Sequence, residues 1–105
     1  MTTETLNPAA VATKANLFGD GKCVSHTLHF ADGRRKTVGV ILPSTLTFNT
    51  SAPEIMEGVA GSCEYRLNGS EAWIKSGAGE KFSVPANSKF EIRTDEGYHY
   101  ICHFG

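Results

Sequence analysis

Long apolar runs are missing from this sequence. None approaches the ~20 residues that cross a bilayer as a helix, and Met1 to Thr13 has neither a basic start nor an apolar stretch of signal-peptide length. A cytoplasmic protein is therefore expected. An excess of one charge is missing too: ten Lys and Arg stand against eleven Asp and Glu, a formal net charge of -1. The positive field that binds nucleic acid without regard to sequence is absent, as is any reason to expect a membrane partner. Cysteine is scarce. Cys23, Cys63 and Cys102 cannot all pair within one chain, and none stands in a CxxC or zinc-ribbon spacing. This usage points to reduced thiols in an intracellular protein. No internal repeat, low-complexity tract or convincing helical periodicity occurs. The 105 residues, 40% of them hydrophobic, suit one core, and a chain of this size buries about 65% of its unfolded surface without a metal or disulfide.

What is present is a period of two. Residues 1–17 carry no useful periodicity and are expected to form a loose leader that lies across a single domain spanning 18–105. Val24, His26, Leu28 and Phe30 share one face, Asp32-Gly33 turns the chain, and Lys36, Val38, Val40 and Leu42 repeat the alternation. Arg34, Arg35 and Lys36, beside that turn, read as its solvated tip. After Pro43 come Leu46 to Asn49 and Ile55 to Ala60, then Cys63, Tyr65 and Leu67 up to Asn68-Gly69, a strong hairpin signal. Ala72 to Lys75, Lys81 to Val84, Phe90 to Thr94 and Tyr98 to Phe104 follow, separated by glycine-rich turns or Pro85. About nine short strands at this spacing predict an all-β antiparallel barrel, closed because an open sheet would leave backbone unpaired. Such a barrel is either filled by side chains or holds one small ligand in its mouth.

Four histidines invite a metal, yet their spacing argues against one. His99 and His103 lie about 13 Å apart on a strand, and His26 and His29 point to opposite faces. Glu54 followed by six residues and Gly61, and Gly79 followed by five residues and Pro85-Ala-Asn87, resemble the two signature motifs of the cupin superfamily. Metal-dependent cupins place an HxH pair before the glutamate, because residues two apart on a strand enter the same cavity. Here those positions hold Phe48-Asn49-Thr50, or Thr47-Phe48-Asn49 if the spacing slips by one. Phe90 stands where the later histidine belongs. The resemblance therefore implies a metal-free cupin-type barrel.

A narrower resemblance runs from about Phe18 to the end of the chain. Arg35-Lys-Thr-Val-Gly39-Val-Ile-Leu-Pro43, the block Thr47-Phe48-Asn-Thr50-Ser-Ala-Pro53-Glu54-Ile-Met56, Gly61, Trp73, Phe82-Ser-Val-Pro85-Ala-Asn-Ser88-Lys-Phe90 and Tyr100-Ile-Cys102 are similar, in this order, to the pyrimidine/purine nucleoside phosphorylase family. Departures fall at Leu46, where an aromatic is expected, at Ser44, where glycine is common, and at Asn68-Gly69, which replaces a Pro-containing turn. The resemblance implies reversible phosphorolysis: phosphate attacks C1′ of a purine or pyrimidine nucleoside and releases free base and ribose 1-phosphate, with no cofactor beyond phosphate as co-substrate. Such a pentosyltransferase needs a carboxylate near an oxocarbenium-like sugar, a phosphate dock and an undemanding base pocket.

Glu54 is the candidate carboxylate. Thr50, Ser88 and Lys22 are the candidates for phosphate, with Arg66 and Arg93 read as solvated. Phe48, Met56, Phe90 and Tyr100 are the candidate lining of the base pocket, where rings and a thioether accept many shapes. Trp73 is read as a wall residue or part of a dimer seam. Cys102 has no evident environment that would make it a nucleophile. The competing reading is a non-enzymatic metal-free cupin that binds a small metabolite and uses Tyr98, Tyr100 and Phe104 for dimer contacts. In either case exposed strand edges make a homodimer the expected assembly.

Overall fold

Strand alternation builds nearly the whole molecule. The structure, a computed structural model, describes residues 5–104. Its strands are β1 (Ala10–Val11), β2 (Asn16–Phe18), β3 (Cys23–His29), β4 (Arg35–Ile41), β5 (Ser44–Asn49), β6 (Glu54–Leu67), β7 (Ile74–Gly77), β8 (Lys81–Val84), β9 (Lys89–Thr94) and β10 (Tyr98–Phe104). A single 3-10 turn, Gly19–Gly21, follows β2. No helix among the described residues is long and apolar enough to cross a membrane.

All ladders are antiparallel. One sheet runs from β1 and β2, both on the free edge of β3, through β3, β4 and β10 to the first half of β6 and then β8; the other joins β5, β9, the second half of β6 and β7. The fold is thus all-β, as the alternation predicts, and the sheet curls into an open cup. The sequence predicts two strands from Ile55 to Leu67, whereas β6 is continuous for 14 residues and belongs to both sheets. It changes partners at Gly61, whose φ is +72° and where a side chain would run into the Gly97 carbonyl. Both facts demand glycine. Just before the bend, Ala60 faces His99 while Gly58 faces Tyr100, so Val59 forms a bulge.

Two further expectations are corrected. The segment before residue 18 is not loose where it is described: Ala10 and Val11 pair with His29 and Leu28, and Asn16 to Phe18 pair with Ser25 to Cys23. Residues 1–4 and Gly105 lie outside the described residues. Nor is the barrel closed by a ladder among the described residues. Phe18 meets Phe48 of β5 edge-on with ring centroids 5.5 Å apart, and Gly19 packs on Leu46. Side chains close the cup where backbone pairing stops.

The core holds Cys23, Ile41, Met56, Cys63, Phe82, Val84, Phe90, Ile92, Tyr98, Tyr100 and Cys102. Burying a large apolar side chain contributes about 1.5–3 kcal/mol. Tyr98 is fully buried and Tyr100 is 6% exposed. Neither is therefore available for the dimer contacts suggested by its place on the terminal strand.

Candidate functional site

The core is hollow at one end. A cavity of about 240 Å³ opens between the two sheets, and three chemically different surfaces line it. The first is polar and comes from Asn16 on β2, Ser25 and Thr27 on β3, and Arg35 and Thr37 on β4. Period-two geometry explains it: with Cys23, Ser25 and Thr27 turned inward, small or hydroxylic side chains face the lumen, while Val24, His26 and Leu28 turn out. The Asn16 amide donates to the Ser25 and Thr27 hydroxyl oxygens at 3.3 and 3.1 Å. The second surface is aromatic. Phe48 of β5 stacks on Phe90 of β9 at 5.6 Å, as their direct pairing across the ladder requires.

The third surface carries the acid. Glu54 and Met56 enter from β6, and Tyr100, Cys102 and Phe104 enter from β10. Phe104 lies directly opposite Glu54 in the ladder, and the Arg35 guanidinium sits 4.3 Å over the Phe104 ring. The ring thereby carries a cation on the side of the cavity where the carboxylate stands. The Cys102 thiol donates to Glu54 Oε1 at 3.5 Å. Burial pushes the Glu54 carboxyl above its ordinary range, and the Cys102 hydrogen bond and the Arg35 charge only partly offset that. Deeper in, the Tyr100 hydroxyl meets Cys23 Sγ at 3.3 Å, and burial raises both groups above their usual values.

The expected site residues divide cleanly. Phe48, Glu54, Met56, Phe90 and Tyr100 all line the cavity. Thr50, Ser88 and Lys22 do not. The Thr50 hydroxyl donates to the Pro85 carbonyl at 2.6 Å and accepts from the Ser88 amide at 3.0 Å, so these two residues clasp the end of β5 to the turn before β9. Lys22 is exposed beside the 3-10 turn.

Sequence reasoning missed Arg35 and Asn16. The basic cluster is not uniformly a solvated tip: Arg34 pairs with Asp32 at 3.6 Å and Lys36 lies over Phe30, but Arg35, on the Thr37 face of β4, turns to the cavity. The signal was its parity with Thr37. Arg66 and Arg93 sit on the outer surface, bonded to Glu91 and Glu64 at 2.8 and 3.1 Å. The Trp73 ring stacks on both guanidinium groups, at 4.5 and 3.9 Å from its centroid. Two cation–π contacts and two ion pairs make this a staple for the loop before β7.

A metal does not suit this donor set. Where a metal-dependent cupin would present imidazoles, Phe48 and Phe90 present rings, leaving Glu54 and the Cys102 thiol beside it, and among the described residues no three His, Cys, Asp or Glu side chains converge.

A profile of the pyrimidine/purine nucleoside phosphorylase family matches residues 13–104. The chain belongs to that family. Family members named pyrimidine/purine nucleoside phosphorylase include one from Paracidovorax citrulli, 67% identical over the full length of both chains, and one from a Polaromonas species, 68% identical, again over all of each chain. Among solved structures, a protein of unknown function from Acinetobacter superposes with a TM-score of 0.95 at 42% identity, over 98% of this chain and 100% of that one. An RmlC-like cupin from Shewanella frigidimarina shares the fold alone, with a TM-score of 0.69 at 17% identity over 88% of this chain and 82% of its own. Membership of the phosphorylase family thus accompanies a cupin-type cup.

Proposed function

We propose that the cavity performs reversible phosphorolysis of purine and pyrimidine ribonucleosides, a pentosyl transfer to phosphate. A phosphate oxygen forms a bond to C1′ as the C1′–N bond breaks; the bonding electron pair leaves with the base, which takes up a proton. The observation that carries this reading is the pairing, within one cavity, of the Glu54 carboxylate with the Arg35 guanidinium on either side of Phe104. Positive charge developing on the sugar is stabilised by an ionised Glu54. Arg35, rather than Lys22, anchors the phosphate, since a guanidinium offers paired donors to its oxygens.

The cavity volume of about 240 Å³ supports broad base tolerance. It is smaller than the roughly 300–1,000 Å³ of ordinary ligand pockets, which suits sugar and phosphate inside and the base at the rim against Phe18 and Phe48. Stacking there discriminates weakly between ring systems. In this reading phosphate is the co-substrate and no cofactor takes part. The protein acts in the cytoplasm as a homodimer, with Leu17, 65% exposed at the β2 edge, among the surfaces left for a second copy.

The test is incubation of the purified protein with inosine or uridine, with and without phosphate, and chromatography of the products. Free base that forms only with phosphate supports phosphorolysis, and comparable release from both nucleosides supports the tolerance. No release from any nucleoside favours a cup that only binds a metabolite.

A further inference from the structure

We propose that Cys102 is a positioning residue for Glu54, its neutral thiol holding the carboxylate from the neighbouring strand. The inference rests on the reading of Glu54 as the reacting acid. Cys102 faces Met56 across the β6–β10 ladder and is therefore diagonal to Glu54, within reach for a side-chain contact. On its other side it faces Thr37 of β4. The thiol donates to Glu54 Oε1 at 3.5 Å.

The charged and titratable groups facing Glu54 are Arg35 from β4 and Cys102 from β10. Only 4% of Cys102 is exposed, and burial together with the adjacent carboxylate keeps it protonated. It therefore serves as a donor and not as a nucleophile. A thiol is a weak donor in general, and one given to an ionised acceptor is a stronger one. A charged donor here would compete with Arg35 for phosphate; a neutral one fixes the carboxylate and leaves the anion to the arginine.

The experiment compares wild type with Cys102→Val, which keeps the volume without the donor, and Cys102→Ser, which keeps a donor. The Glu54 carboxyl is followed by carbon-13 NMR through a pH titration and assigned with Glu54→Gln. Its midpoint should rise by roughly half to one pH unit in the valine variant, as expected for loss of one hydrogen bond to the ionised form, and should return to or below the wild-type value with serine. The acid limb of the kcat profile for phosphate-dependent base release should move in parallel. Equal midpoints for valine and serine would overturn the role. If wild type releases no base, the phosphorolysis reading fails by itself, and the NMR titration still decides whether Cys102 holds Glu54.

Discussion

Along β6 the interior changes character at Gly61. Before it, Glu54 and Met56 face the cavity; beyond it, Cys63 and Tyr65 face a packed interior in which Tyr65 stacks on Phe82 at 3.7 Å and Ile92 is wholly buried. One strand thus borders a hollow and a solid end, and its partners make the difference. Opposite Tyr65 in the second half stands the wholly buried Ile92, and the Phe82 ring from β8 stacks on Tyr65, so large side chains fill that end. Across the cavity from the first half stand Ser25, Thr27 and Thr37, too small to reach across and too polar to collapse together.

The largest effect that sharpens this contrast is expected at the solid end. Ile92→Ala should cost about 2–5 kcal/mol of stability by chemical denaturation. Phe48→Ala, at the half-buried rim, should cost less and weaken nucleoside binding instead. Equal losses would mean that the two ends are packed alike. Next comes the acid: Glu54→Gln keeps the shape and removes the charge, and turnover should fall by about 10² or more if the carboxylate stabilises the sugar cation. Unchanged turnover would remove Glu54 from the mechanism. Smaller still is Arg35→Gln, which should raise the KM for phosphate by roughly tenfold, the size of one charge-assisted contact, with little change in the KM for nucleoside. A change confined to the nucleoside KM would move the phosphate elsewhere.

The same contrast explains what the sequence reveals. The strands of the cup are legible because alternation survives in both halves, and the Thr47 to Met56 block contributes Phe48, Glu54 and Met56 to one cavity, the last two on one face of β6 by parity. Arg35 is hidden because three consecutive cations look alike until the β4 register separates Arg35 and Thr37 from Lys36. Asn16 is hidden because β2 has three residues, fewer than a period needs to declare itself; its position comes from pairing with Ser25 across the tight turn at Gly19–Gly21. Thr50 and Ser88 mislead for the opposite reason. Their hydroxyls suit phosphate chemically, but neither residue lines the cavity, and the Thr50 hydroxyl is engaged by the Pro85 carbonyl and the Ser88 amide.

The smallest expected effect concerns stability at the hollow end. Because burial outweighs both Arg35 and Cys102, the Glu54 carboxyl titrates above its unfolded value. A raised carboxyl binds its proton more tightly in the folded state, so its contribution to stability is fully present below the unfolded value of roughly 4.3. That contribution is lost as pH rises through the folded value. Above that titration wild type carries an ionised acid in a place that disfavours it, and there Glu54→Gln should melt no lower than wild type and slightly higher while losing turnover. The gain should shrink as the pH is lowered through the Glu54 titration and vanish below it. A glutamine variant that melts lower above the Glu54 titration would mean that Arg35 and Cys102 hold the charge more firmly than burial penalises it, which would make the acid a structural part of the cup as much as a chemical one.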